Sequence, residues 1–514
     1  PVIMDEQPQK VLFSRYKEGD LLPKLKDEAA GTRITCNVGM ATSAAFFPVP
    51  EGGTKRVEVL VPLGKKPQKN PTATRAAGQT WPESLQGTAR LRIPDAKTQE
   101  LYEIALRTLI LLSARDVVPG TYTYRRFWFR DACLMLNAML AAGLVDRSRN
   151  VLSRFFDRQE RSGYFKSQTG EWDSNGQVLW ILSRFEALSR SPLPSDWVKA
   201  LSRGAHWIVK KRTSRNGPEP HAGLLPAGFS AEHLGTNDYY YWDDFWALGG
   251  LKIAARMAGR YGVPSQESAF QREADDLEQC IWESIAGIPA QMTNGGIPAS
   301  PYRRMDAGAV GSLVPDYPLQ ITPPGDHRIR ETIQFLMAHC FHQGAFFQDM
   351  VHSGINVYLT LAIAQSLLRM GDSRYRSLIK TCARMASDTG QWPEAIHPRT
   401  GGGCMGDGQH GWAAAEWVMM IRNLFVREEA DSLIIGSGIF PEWLGPDKNL
   451  FFGPTPTAFG PVSLSISEQR SKTIVTVDAD WGKPFPHAEI RMPGFKPLEV
   501  PRSKGEHILE PEVP

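Results

Sequence analysis

What most constrains this chain is the way its connections alternate. Between about residues 94 and 430 the apolar side chains recur at i, i+3, i+4 and i+7, the repeat of a helix that buries one face. That spacing predicts helices near 97–115, 131–144, 146–160, 175–190, 195–213, 242–260, 265–286, 305–314, 326–341, 354–370, 372–388 and 410–427. The turns from Gly143 to Asp146, Ser191 to Pro194, Tyr261 to Pro264 and Met370 to Asp372 are tight. The stretches near 116–130, 161–174, 214–241, 287–304, 342–353 and 389–409 are long. Antiparallel hairpins with short turns at one end and long loops at the other put all six long loops on one face. The expected fold is therefore mainly α, an (α/α)6 toroid of about twelve helices with its pocket among the long loops. The segment 305–314 fits this pattern least regularly, and the turn after it is longer than the pattern asks.

The flanks change period. Residues 1–63 carry short β-like runs, KVLFSRY, TRITCNV and KRVEVLVPL, and read as part of a β-sandwich. Residues 64–93, rich in Pro, Gly, Thr and Lys, read as a linker. Residues 94–430 form the helical domain. From 431 to 514 the runs SLIIGSG, PVSLSISE and KTIVTVDAD predict a small β domain. A net charge of +3 with no basic run argues against nucleic acid or an anionic membrane as the main partner. No stretch of about 18 apolar residues is present to span a bilayer. The six cysteines are scattered with no CxxC pair, which favours isolated thiols and a cytoplasmic location. The chain starts at Pro1 rather than Met, so it is read as a fragment or processed form, and no signal peptide is visible.

The long loops carry the chemistry-bearing residues. The first ends TYTYRRFWFRDACLML, with Tyr124, Trp128, Arg130 and Asp131; the second ends TGEWDSNGQVLW, with Trp172, Asp173 and Asn175. The third ends TNDYYYWDDFW, with Trp242 and the doublet Asp243–Asp244. The sixth reads TGQWPEAIHPRTGGGCMGDGQHGW, with Trp392, Glu394 and, at the last helix start, Trp412. Each carboxylate taken singly reads equally well as a helix cap. Four loops of one face that each deliver an aromatic beside a carboxylate, amide or guanidinium suit a sugar, whose C–H face stacks while its hydroxyls need forked hydrogen bonds. For the doublet, a helix N-terminus favours the ionised form by about 0.3–1 kcal/mol. Burial in an aromatic nest raises a carboxyl by up to about 3–5 units, so one aspartate is expected to stay protonated near neutral pH. GGGCMGDG lacks the GK[ST] of a phosphate loop. His339, His342 and His352 lack the spacing of metal ligands and read as surface or core histidines. No cofactor is called for.

Taken in order, these motifs resemble the catalytic domain of the glucoamylase family (glycoside hydrolase family 15) and related (α/α)6 glycosidases, over residues 121–428. FWFRDA at 127–132 is similar to that family's aromatic-Trp-x-Arg-Asp segment, and YWDDFWA at 241–247 to its Leu-Trp-Glu-Glu segment. RMDAGAVGSLVPDYP with DHRIRETI resembles a core stretch of the family, and WPEAIHPRTG with GQHGWAAAEW the segment that supplies the base. The resemblance implies an inverting, exo-acting glycosidase that cleaves α-linked glucose from an oligo- or polysaccharide, with Asp243 as general acid and Glu394 as base. It implies that Arg130 and Asp131 grip the sugar in the −1 subsite, with Tyr124, Trp128, Trp172, Asn175, Trp242, Asp244, Trp392 and Trp412 as further substrate-binding residues. Two positions depart from the family: Asp stands for Glu at the acid, and Asn175 precedes Gly176 where starch-acting members often have Asp-Gly. Three other readings stay open: a debranching α-1,6-glucosidase, a phosphorylase on the same fold, and a non-catalytic carbohydrate-binding relative.

Overall fold

The computed structural model describes residues 2–19, 21–29, 31–37, 41–61, 80–229, 231, 235–470, 472–483, 485–501 and 505–512. The chain forms two compact units, Pro1–Thr80 and Trp81–Pro514. In the first, β1 (Ile3–Met4) pairs with β4 (Val59–Leu60), and β2 (Lys10–Arg15) pairs with β3 (Ala41–Phe46), both antiparallel. Among the described residues these are two two-stranded sheets. β2 buries Leu12 and Ser14, and β3 buries nothing. The TRITCNV run at 32–38 was expected as a strand, but its described residues, through Asn37, form none.

The second unit is mainly α with β regions. Its helices are α1 (Trp81–Ser84), α2 (Ala96–Leu111), α3 (Phe129–Ala141), α4 (Val145–Leu152), α5 (Ser174–Ser189), α6 (Ser195–Lys211), α7 (Tyr241–Arg260), α8 (Pro264–Ala286), α9 (Ala290–Thr293), α10 (His327–His339), α11 (Val357–Arg369), α12 (Tyr375–Arg384) and α13 (Gly411–Phe425). Asp95 caps α2 by accepting from the Thr98 N–H at 3.1 Å, and Pro264 opens α8 where a missing N–H is harmless. The segment expected as a helix over 305–314 is a 3-10 turn, Ala307–Leu313. Gly308 and Gly311 inside it disfavour a regular α-helix. The expected 146–160 helix stops at Leu152, and a 3-10 turn over Phe155–Arg158 follows.

Packing order explains the burial. Among the described residues, α3 packs on α5, α5 on α7, α7 on the 3-10 segment, that segment on α11, α11 on α13, and α13 back on α3. The helices α4, α6, α8, α10, α12 and α2 back this closed ring, each packing on one or two of its members. Every residue of α3 and of α13 is buried, as a helix enclosed on all sides requires. Each ring member is entered from a long connection: 112–128, 153–173, 212–240, 287–306, 340–356 or 385–410. These six connections bond neighbour to neighbour around one rim. Arg126 donates to Gln168 at 3.0 Å, Trp172 to the Ala227 carbonyl at 3.0 Å, and Ser300 to Asp238 at 2.7 Å. Arg303 reaches the Met350 sulfur at 3.2 Å, Asn356 donates to the Glu394 carbonyl at 2.9 Å, and Thr123 N–H donates to Asp407 at 2.9 Å.

The long connections also hold a sheet that the sequence did not announce. It runs β10 (Gly403–Met405), β9 (Ala395–Ile396), β8 (Gly354–Ile355), β7 (Ala345–Gln348) and β6 (Phe341–His342). After α13 the chain builds β11 (Val426–Glu429), β12 (Ser432–Ile435), β13 (Leu450–Thr455), β14 (Val462–Gln469), β15 (Lys472–Ala479), β16 (His487–Ile490), β17 (Leu498–Glu499) and β18 (Gly505–Ile508). One sheet orders β11-β12-β16-β17, and the other β18-β15-β14-β13 followed by a strand over Arg90–Arg92. Strand β5 (Arg90–Arg92) belongs to the stretch expected as linker, yet it pairs antiparallel with β13 and buries Leu91. Residues 62–79, most of that linker, lie outside the described residues.

Candidate active site

The connections 112–128, 340–356 and 385–410, with the starts of α3 and α13, form a cleft lined by Pro119, Tyr124, Trp128, Arg130, Asp131, His352, Glu394, His410 and Trp412. Trp128 stands at the N-cap of α3 without a side-chain cap bond, so Arg130 and Asp131 fall within the first helical turn. Asp131 is therefore not the cap of its helix, and one of the two readings left open for it is removed. Its carboxylate lies 3.8 Å from Arg130 Nε and 3.9 Å from His410 Nε2. Arg130 also stands 3.6 Å from Glu171 and 3.7 Å from Asp173. Three carboxylates around one buried guanidinium keep it oriented into the cleft wall.

Glu394, 6% exposed, is held at both oxygens. The Tyr124 hydroxyl donates to Oε2, and His352 Nδ1 lies 3.0 Å from Oε1. Burial pushes this carboxyl up, but hydrogen bonding from His352, the field of His410 and His352, and the Tyr124 bond outweigh it and hold Glu394 at about 2. Burial pushes His410 itself down to about 4, so His410 is neutral at pH 7. Near pH 2, where Glu394 titrates, His410 is protonated and its field acts together with the bonds from His352 and Tyr124, and Glu394 is an ionised carboxylate throughout the physiological range.

Asp407 builds the Tyr124 side of this arrangement. Its carboxylate accepts the N–H groups of Tyr122, Thr123 and Tyr124 at 3.1, 2.9 and 2.9 Å. A Cβ at Gly120 would lie 2.1 Å from Asp407 Oδ2, and one at Gly406 would lie 2.5 Å from the Tyr124 ring. Only glycine allows this close approach. Trp128 and Trp412 supply the aromatic walls. Trp412 packs on Tyr358 at 4.6 Å and donates to Glu416 at 3.2 Å. The buried indole N–H of Trp128 has no hydrogen-bond partner among the described residues.

The doublet divides its tasks. Both aspartates lie inside the first turn of α7, whose N-cap is Tyr240, so neither is a cap. Asp244 accepts the Leu225 N–H at 2.8 Å and ties the connection 212–240 to α7. Burial pushes its carboxyl up to about 7, against that bond and the charge of Arg212. Asp243, 1% exposed, acts electrostatically on Tyr164 and Tyr240 and is not among the residues that line the cleft. Its neighbour Trp242 donates to Asp173 at 2.9 Å, and Asp173 in turn faces Arg130.

Of the residues expected at a substrate, the cleft gathers Tyr124, Trp128, Arg130, Asp131, Glu394 and Trp412. Trp172, Asn175, Trp242, Asp243, Asp244 and Trp392 are not among its lining residues. Asn175 accepts the Phe165 N–H at 2.9 Å and donates to the Gly163 and Gly204 carbonyls at 3.1 and 2.9 Å. That leaves its amide tied to backbone rather than turned to a ligand. Trp392 is buried and donates to the Cys382 carbonyl at 2.9 Å, and Trp172 carries Lys211 3.7 Å above its ring. The sequence motifs assign no site role to His352, His410, Asp407, Glu171 and Asp173. His352 lies in no motif, and Asp407 lies in the GDG of GGGCMGDG, a run without the GK[ST] of a phosphate loop.

Compared by sequence, the chain matches no protein-family model and no curated protein. Compared by fold, it is similar to solved structures. One is a glycosidase at 14% identity and TM-score 0.53, covering 65% of this chain and 99% of that one. A bacterial glucoamylase complexed with acarbose matches at 15% identity and TM-score 0.50, over 63% of this chain and 55% of that one. An α-L-rhamnosidase from Dictyoglumus thermophilum matches at 11% identity and TM-score 0.55, over 79% of this chain and 45% of that one. The likeness is one of fold. It is carried by a helical ring with β regions, the architecture these glycosidases share with this chain.

Proposed function

We propose that the chain is an inverting, exo-acting glycoside hydrolase of the glucoamylase-like type, built on an (α/α)6 toroid and acting on α-linked glucose. The observation that carries this reading is Glu394: an ionised carboxylate, fixed at both oxygens, in a cleft with an Arg–Asp fork and two indoles. Hydrolysis with inversion needs one carboxylate to take a proton from water and one carboxyl to protonate the leaving oxygen. Glu394 is suited to the first task because it stays ionised. Asp243 is assigned the second, and its aromatic surroundings on α7 support a proton donor shielded from bulk water. Arg130 and Asp131 hold sugar hydroxyls, and Trp128 and Trp412 stack on the ring face. Residues 94–430 are read as the catalytic domain, 431–514 as a β domain, and 1–63 as a β-rich region reached through 64–93.

A second reading, a non-catalytic carbohydrate-binding relative, is favoured by one observation: Asp243 does not line the cleft. A substrate with a leaving group that needs no protonation separates the two. On a glycosyl fluoride, Asp243→Asn is expected to keep most of its wild-type rate while losing activity on a natural glycoside. Glu394→Gln should lose both, because water must still be activated. A wild-type protein that binds the sugar and hydrolyses neither substrate would establish the second reading.

A further inference from the structure

The segment 350–356 carries a residue whose backbone and side chain both point to a task. His352 lies in the left-handed region, φ 61°, which a residue with a Cβ adopts only where its surroundings hold it. Such positions gather at ligand sites. Its ring lines the cleft, and Nδ1 stands 3.0 Å from Glu394 Oε1. An ionised carboxylate only accepts, so the proton of this bond sits on Nδ1. From the same segment Asn356 donates to the Glu394 main-chain oxygen at 2.9 Å. Segment 350–356 therefore holds Glu394 by backbone and by side chain, while Tyr124 holds the opposite oxygen from the connection 112–128.

A carboxylate bonded at both oxygens cannot turn about its last bond, and its remaining lone pairs keep one direction. We propose that His352 is a positioning residue for the base: its Nδ1–H on Oε1, opposite the Tyr124 hydroxyl on Oε2, fixes the plane in which Glu394 meets the attacking water. This rests on the reading of Glu394 as the base of a hydrolase. The other polar groups lining the cleft with them are Tyr124, Arg130, Asp131 and His410, and Asp407 stands behind Tyr124.

Two variants separate positioning from structural support. His352→Gly removes the donor and relieves the left-handed backbone, so the fold is kept. His352→Asn keeps an N–H at similar reach and tolerates the same backbone. For His352→Gly the expected result is a Tm no lower than wild type and kcat down by about tenfold or more, with KM changed by less than about twofold. Without substrate, the Glu394 titration should rise from about 2 toward 4.5. It is followed by carboxyl-13C NMR of glutamate-labelled protein and assigned by difference against Glu394→Gln. His352→Asn should recover kcat to within about threefold of wild type. An unmoved Glu394 titration in His352→Gly, or an Asn variant as impaired as the Gly variant, overturns the proposal. A titration that moves while kcat does not overturns the role of Glu394 as base and leaves the His352 contact standing.

Discussion

Replacing Glu394 with Gln should change how stability depends on pH, and the size of the change follows from the site. The folded carboxyl is held at about 2 against 4.5 in the unfolded chain. A depressed folded value contributes stability that is present above pH 4.5 and lost as pH falls toward 2. At pH 7 the contribution is ~3 kcal/mol, and at pH 3 it is ~1.4 kcal/mol. Glutamine has no such term, so its deficit relative to wild type should shrink by about 2 kcal/mol between pH 7 and pH 3. For a unit of this length that is a Tm gap narrowing by roughly 2–4 °C. Thermal melts of both proteins at half-unit pH steps measure it, with the remaining carboxylates cancelling in the difference. A gap that stays constant across this range would refute the claim that His352, His410 and Tyr124 together hold Glu394 ionised.

Asp131→Asn should leave Tm within about 1 °C, since Arg130 keeps Glu171 and Asp173, and should lower kcat/KM at least tenfold, because a charge-assisted contact is worth about 1.5–3 kcal/mol; full activity would return Asp131 to a purely structural role. Asp407→Ala should lower kcat about as much as Tyr124→Phe, and the double variant little further, because Asp407 acts through the Tyr122–Tyr124 backbone. Additive losses in that cycle would contradict the clamp. Gly120→Ala should reproduce the Asp407→Ala effect on kcat, since its Cβ would displace Asp407. Asp244→Asn should lower Tm by loosening the Leu225 anchor and show no leaving-group rescue on a glycosyl fluoride; such a rescue would move the acid from Asp243 to Asp244.

The ring was legible because its periodicity is one-dimensional. The outer helices must be apolar on one face and the connections must alternate, and both leave marks in the sequence. The 3-10 segment Ala307–Leu313 blurred that signal because Gly308 and Gly311 weaken the helical repeat. The site was legible only in part. Arg130, Asp131, Glu394 and Tyr124 stand beside aromatics on loops that the turn pattern brings together. Trp392 and Trp412 look alike in sequence, and only packing decides that one is core and the other wall. Asn175 looked like a hydroxyl ligand because nothing local reveals that Gly163 and Gly204 come to its amide. The contacts of Asp407 with Tyr124 and of His352 with Glu394 span 283 and 42 residues, and no local pattern encodes them. The left-handed backbone at His352 is likewise invisible without coordinates.

The central claim is that this cleft hydrolyses a glycosidic bond with inversion, using Glu394 to activate water. Proton NMR of the first sugar released from a panel of α- and β-glucosides, with and without phosphate, tests it most directly. The account predicts free β-glucose from an α-glucoside before mutarotation, at a rate indifferent to phosphate, with no product from Glu394→Gln. Release of α-glucose, formation of a sugar phosphate only when phosphate is present, or undiminished turnover by Glu394→Gln would contradict it.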